Sequence, residues 1–228
     1  MIPEHIQEHL NSLGFKKLRP SQEKSIEAGL FKGENILVCT PTASGKTLVG
    51  ELAIINKILE TSDEKKEQKI KRTGLMGVYV VPLKALASEK YKEFTKKHPD
   101  LKITVTSGDM DGDDRYLEAY DIIITTSEKF DSLIRHHTPW LNKIGVVVID
   151  EIHLLNDLNR GPTLEILITI LRDQLPELQI IGLSATIGNA KELADWLNAK
   201  LVEDSWRPTK LKKGIFFDGN IYFPNEAK

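Results

Sequence analysis

Cysteine, an excess of one charge and long apolar runs are what this chain of 228 residues lacks. Cys39 is its only cysteine, so no disulfide framework can form within the chain and a reducing interior is the simplest setting. Its 31 Lys and Arg stand against 33 Asp and Glu, a formal net charge of −2 with a pI near 6.3. That balance excludes a strongly basic nucleic-acid binder, so a polyanion would have to be held by hydroxyls, backbone N–H groups and a few lysines. No apolar run approaches the roughly 20 residues that span a bilayer. The opening MIPEHIQEHL has neither a basic start nor an apolar signal core, so an intracellular protein with no membrane partner is expected. Trp140, Trp196 and Trp206 are too scattered for a stacking platform, and packing is their expected role. No histidine–cysteine cluster suggests a metal site. His5, His9 and His98 are expected to be solvated, and His136 and His137 to lie on the surface near a helix end.

What is present is patterning. Six apolar runs, NILVC (35–39), GVYVVP (77–82), KITVT (102–106), DIIIT (121–125), IGVVVID (144–150) and LQIIGLS (178–184), are continuous rather than alternating. Strands buried on both faces read that way. Between them KTLVGELAIINKIL, LKALASEKYKEFTKK and PTLEILITILRDQL carry helical spacing, and two helical patterns, at 3–13 and 20–31, precede them. The expectation is an α/β fold, a doubly wound and mostly parallel sheet with helices on both faces. The charge run SDEKKEQKIKRTG (62–74) reads as a solvated loop. After WLNAKLV the αβ pattern stops, which predicts one domain over 1–203 and an exit segment over 204–228 that includes a possible β-hairpin.

Three motifs follow strands. TPTASGKT (40–47) lies between NILVC and a helix and has the parts of a phosphate-binding loop. Gly45 allows close approach, Lys46 supplies charge for the outer phosphates, Thr47 offers a hydroxyl to Mg²⁺, and the helix start adds its positive end. Thr40 stands where the usual pattern has its first glycine, which an extended backbone before Pro41 would tolerate. In VVVIDEIH (146–153), Asp150 suits water-mediated Mg²⁺ coordination and Glu151 suits orientation or deprotonation of an attacking water. In LSATIG (183–188), Ser184 and Thr186 are candidates to bond His153 or Asp150 and report the state of the phosphates.

In this order and spacing, TPTASGKT, DEIH and SAT resemble the first, RecA-like motor domain of superfamily 2 helicases. The chain is similar to their superkiller-like branch and, within it, to the archaeal Holliday-junction-migration type of DNA repair helicase. LRPSQ (18–22) resembles the family's Q motif, which implies that Gln22 reads the adenine edge of ATP beside Thr40, Pro41, Thr42, Ala43, Ser44, Gly45, Lys46 and Thr47. VVPLKALASEKY (80–91) resembles motif Ia with Pro82, Leu83 and Lys84, and TSGD (106–109) resembles motif Ib with Gly108 and Asp109. TTSEKFDSLIR (125–135) resembles the next strand-binding motif, with Thr126, Ser127 and Lys129. DEIHLLNDLNRGPTLE (150–165) resembles motif II with an extension carrying Arg160, and SAT, with Ala185, couples the sites. Simple helix capping is the competing role for Thr126 and Ser127.

The resemblance implies ATP and Mg²⁺ as cofactors, 3′-to-5′ DNA helicase activity in fork repair or recombination, and single-stranded or forked DNA as partner in the nucleoid. An RNA substrate, or a nucleotide-dependent clamp that does not unwind, is the alternative. Nothing after Pro208 resembles the family's second motor domain, its winged helix or its ratchet domain. A monomeric first domain of a longer protein, nearly inactive alone, is therefore expected.

Overall fold

The computed structural model describes residues 2–64, 67–106, 114–136, 138–209, 212 and 214–223. In chain order come α1 (Glu4–Ser12), α2 (Pro20–Glu27), β1 (Ile36–Cys39) and α3 (Lys46–Ile58). They are followed by β2 (Leu59–Glu64), β3 (Glu67–Arg72), β4 (Met76–Val81), α4 (Lys84–Lys97) and β5 (Ile103–Thr106). Next are β6 (Ile122–Thr126), α5 (Ser127–Arg135), β7 (Ile144–Ile149), α6 (Gly161–Gln174) and β8 (Gln179–Ser184). The chain then forms α7 (Ala190–Leu197), β9 (Lys200–Glu203), β10 (Ile215–Phe217) and β11 (Asn220–Tyr222).

Seven strands form one parallel sheet in the order β5-β6-β4-β7-β8-β1-β9. Successive side chains of a strand point to opposite faces, and both faces are covered. Leu37, Val78, Val80, Val147 and Ile149 pack with α5, α6 and α7, whereas Ile36, Val38, Tyr79, Val81, Val146 and Val148 pack with α1, α3 and α4. This double burial is why the strands read as unbroken apolar runs, and the doubly wound α/β architecture is the expected one.

Three features differ from the sequence reading. The six anticipated strands are joined by an edge strand, β9, whose KLVE has only Val202 buried and so little apolar signal. The charge run is not simply a loop: β2 and β3 pair antiparallel from Leu59–Arg72 to Glu64–Glu67. Main-chain pairing makes that ribbon, and composition does not register main-chain pairing. At its base Thr73 N–H donates to Ile58 O (3.0 Å) and Thr73 Oγ1 to Lys57 O (2.7 Å). The histidines are not solvated either: His5 and His98 are only 8% and 4% exposed. His98 stacks on His9 with ring centroids 4.9 Å apart. Burial, then the neighbouring His98, pushes His9 down to about 4. Folding brought the ends of α1 and α4 together, which no local pattern announces. His137 lies outside the described residues.

Trp140 is fully buried and donates its indole N–H to Asp114 O at 3.1 Å, while β10 and β11 pair as a short hairpin with exposed Phe216 and Phe217.

Candidate functional site

The sheet order decides which strand ends meet. At the carboxyl edge Cys39 of β1 lies beside Ser184 of β8, Ile149 of β7 beside Gly182 of β8, and Val80 of β4 beside Ile149. Val81 of β4 lies beside Thr126 of β6. The nucleotide candidates therefore cluster past β1, β8 and β7. The nucleic-acid candidates cluster past β4 and β6, with Asp150 and Glu151 between the two groups.

Past β1 the chain forms a tight loop. Thr40 is fully buried, its N–H donates to Ser184 O (3.2 Å), and its Oγ1 shares a hydrogen bond with Ser44 Oγ (2.7 Å). Thr40 is not among the residues with positive φ, so a glycine is unnecessary there. The left-handed positions are instead Ala43 (φ 65°) and Gly45 (φ 95°). Its positive φ is what calls for glycine at Gly45, and a Cβ there would also meet Gln22 Nε2 at 2.7 Å, displacing that amide from its bond to Gly45 O. Pro41 and Ser44 are buried, whereas Thr42 and Ala43 face outward. Among the described residues, no acceptor is found for the N–H groups of Thr42, Ala43, Gly45, Lys46 and Thr47.

Lys46 begins α3 and is only 8% exposed; its Nζ donates to Thr40 O at 3.1 Å. No carboxylate pairs with it among the described residues. A buried, unpaired ammonium is costly unless an anion joins it. Together with the unbonded N–H groups and the positive end of a 13-residue helix, it makes a concavity suited to phosphate.

The helix beneath Gln22 is tied to this loop. Gln22 Oε1 accepts from Arg19 N–H (2.8 Å) and Nε2 donates to Gly45 O (3.0 Å). One amide hydrogen and one lone pair remain for a base edge. Arg19, which the sequence reading passed over, donates to Ala43 O (2.9 Å) and lies 5.4 Å from the Trp206 ring. Lys24 pairs with Asp204 (2.8 Å), which holds that carboxyl below its usual range. The DSWRP segment is thus pinned to α2 and, through it, to the loop.

Asp150 and Glu151 follow β7. Asp150 Oδ2 accepts from the Tyr79 phenol (3.0 Å), and Oδ1 accepts from the Glu151 N–H (3.1 Å). Glu151 itself is left-handed (φ 51°), a strained conformation for a residue with a Cβ. Its Oε2 lies 3.3 Å from His153 Nδ1, which also faces the Ala185 N–H at 3.5 Å. The link between motif and sensor is therefore made by the Ala185 main chain, not by the hydroxyls. Ser184 is fully buried, and the exposed Thr186 lines a separate open cavity of about 610 Å³ with Lys24, Pro41 and Asp204. Thr47 and Asp150 offer the hard oxygen donors that Mg²⁺ prefers, so the residues present fit the metal.

On the other side, Leu83 (45% exposed) and Lys84 start α4 and are open to solvent. Thr126 and Ser127 are 4% and 6% exposed, and Thr126 Oγ1 caps α5 by accepting from Lys129 N (3.4 Å). Lys129 Nζ pairs with Asp114 at 3.2 Å. A cavity of about 10 Å³, room for one water, lies between Pro82, Ser127, Asp150, Glu151 and Arg160 and joins the two halves. Gly108 and Asp109 lie outside the described residues.

Tyr79 and Lys90 also escaped the sequence reading. Lys90 Nζ lies 3.4 Å from Thr47 Oγ1. The available signal for Tyr79 was a polar tip in a strand otherwise aliphatic, which must find a partner when buried.

A family model described as DEAD/DEAH box helicase matches residues 19–193. The chain is 48% identical over 223 residues to the ATP-dependent DNA helicase Hel308 of Pyrococcus horikoshii, a match covering 97% of this chain and 29% of that protein. It is 52% identical over 223 residues to the protein of that name from Methanocaldococcus jannaschii, covering 96% of this chain and 18% of that one. Among solved structures, the DUF1998 helicase MrfA bound to DNA aligns with a TM-score of 0.69 at 29% identity, covering 90% of this chain and 30% of that chain. The chain spans less than a third of each of these proteins.

Proposed function

The chain belongs to the DEAD/DEAH box helicase family, and on that premise we propose that residues 1–203 are the first, ATP-binding motor domain of an ATP-dependent DNA helicase. Residues 204–228 then lead toward a second motor domain, with winged-helix and ratchet domains beyond. The observation that carries the reading is Lys46, a buried ammonium with no acidic partner among the described residues, over a loop whose N–H groups likewise find no acceptor there. DNA as substrate is favoured by similarity to proteins named DNA helicases. A 3′-to-5′ direction, a role at repaired or recombining forks, and a monomeric, intracellular protein rest on the family resemblance alone.

In this reading the loop from Thr40 to Thr47 wraps the phosphates, Lys46 neutralises the outer ones, and Gln22 spends its remaining donor and acceptor on adenine. Thr47 and Asp150 hold Mg²⁺, which supplies charge neutralisation at the transferred phosphoryl group. Glu151, held in its strained turn, orients or deprotonates the attacking water. His153 Nδ1 stands between Glu151 and the Ala185 N–H and can pair with one of them at a time, donating to the carboxylate or accepting from the N–H, while Arg160 borders the one-water cavity that reaches Ser127 and Pro82. Lys84 and the N-terminal N–H groups of α4 and α5 take one strand's phosphates beside Leu83, and Thr126, Ser127 and Lys129, whose side chains shape the start of α5, complete the strand track with Gly108 and Asp109 mainly through their main-chain N–H groups.

Strand displacement by the full-length protein on matched DNA and RNA forks tests the proposal. ATP-dependent unwinding of DNA forks with 3′ overhangs, and not 5′ overhangs, is expected. Equal or faster unwinding of RNA would overturn the substrate assignment, and ATP hydrolysis without unwinding would leave only a clamp.

A further inference from the structure

Tyr79 sits in the middle of β4, fully buried. A hydroxyl buried there without a partner would destabilise the fold. Its partner is a residue assigned to the metal: the phenol donates to Asp150 Oδ2 at 3.0 Å. A carboxylate can only accept, so the single phenol hydrogen is committed to Asp150 and fixes which oxygen turns toward the ring. The other oxygen, Oδ1, accepts from the Glu151 N–H at 3.1 Å. Lys90 lies over the same ring, 5.9 Å from its centroid, reaches Thr47 Oγ1 at 3.4 Å and is steadied by Glu93 at 3.0 Å.

The ring has little freedom to give up this arrangement. Phe94 meets it edge-on, with centroids 5.2 Å apart and planes at 77°. Gly50 of α3 passes over the same place; a Cβ there would lie 2.7 Å from Val148 Cγ1 and 3.4 Å from Tyr79 Cε2.

We propose that Tyr79 is a positioning residue for the metal site, setting the Asp150 carboxylate in the orientation Mg²⁺ needs before nucleotide arrives. The proposal rests on the reading of this site as a Mg²⁺-dependent nucleotide site. Partners that orient metal ligands are worth about 10–100-fold in metal affinity.

The test is Tyr79→Phe, which keeps the ring and its packing and removes one oxygen. Binding of a fluorescent ADP analogue is titrated with Mg²⁺ for both proteins. The half-saturating Mg²⁺ concentration should rise about 10–100-fold in the variant. Nucleotide affinity in EDTA should match wild type, and excess Mg²⁺ should restore the variant. An unchanged Mg²⁺ requirement overturns the proposal. So does an affinity loss of equal size with and without metal, because that is general damage. If wild type itself binds nucleotide without regard to Mg²⁺, the underlying reading of the site fails, and that failure is visible before the variant is made.

Discussion

The two halves of the carboxyl edge are built from the same parts, a strand end running into a helix start, yet they differ in what their polar groups have left to give. On the β1–β7 side the groups are unspent: among the described residues Lys46 has no acid and five loop N–H groups have no acceptor, and Ala43 and Glu151 hold strained left-handed conformations. On the β4–β6 side they are committed to the fold: Thr126 caps α5, Lys129 is paired with Asp114, and Ser127 is buried. Among the described strand-contact candidates, Leu83 and Lys84 are the ones that stand open there. The first half waits for a specific anion. The second offers a surface, in which helix N-termini rather than side chains would do most of the holding.

If that contrast is correct, perturbing the first half should change chemistry and binding, and perturbing most of the second should change stability. The largest effect tests where the nucleotide half ends. Arginines from a second domain are worth about 10³–10⁵ in rate in such motors. The 228-residue chain alone should therefore bind nucleotide weakly and hydrolyse it slowly, with no stimulation by DNA in a steady-state phosphate-release assay. Robust DNA-stimulated turnover abolished by Lys46→Ala would refute this division.

Next in size is Glu151→Gln in the full-length protein. Hydrolysis should fall at least ~100-fold while ATP binding persists. Turnover within a few-fold of wild type would remove Glu151 from its role. Lys46→Ala should weaken ATP binding by about 2 kcal/mol, roughly 30-fold, read by calorimetry. Because it removes an unpaired buried charge, melting without nucleotide should not suffer. Equal affinities would sink the phosphate assignment.

Smaller effects separate the lysines of the second half. Lys129→Ala should destabilise the fold by about 1–3 kcal/mol in urea by leaving Asp114 unpaired. Lys84→Ala should leave stability within about 0.5 kcal/mol yet lower the salt dependence of single-strand binding by roughly 0.7 in log–log slope. The contrast breaks if the two lysines behave alike. Smallest is Thr126→Ala, expected to cost ~1 kcal/mol in melting experiments through the lost cap, with little change in strand affinity.

Much of this was legible along the chain, because it depends on neighbours in sequence. The six buried strands carry their double burial in unbroken β-branched runs, and TPTASGKT and DEIH carry strand, loop and helix within a few residues. What was missed is long-range. Lys129 shows the boundary well: its charge is plain in the sequence, but its commitment to Asp114, 15 residues away, is made only in the fold. The solvated reading of His98 failed because α1, far away in sequence, closes over it. The ribbon of β2 and β3 escaped because its pairing is made by the main chain, which residue type reports only weakly.

By itself the sequence determined the class of fold and the kinds of chemical group at each strand end, since apolar periodicity and short motifs are local properties of the chain. Only the tertiary structure decided which groups are spent. That Lys46 finds no acid among the described residues, that Tyr79 donates to Asp150, and that Arg19 ties the loop to Trp206 are all outcomes of the assembled fold, in which the ends of β1, β4 and β7 share one edge. Hydrogen-bond capacity is a property of each residue, but its use is a property of pairs, and pairs distant in sequence meet only when the sheet assembles.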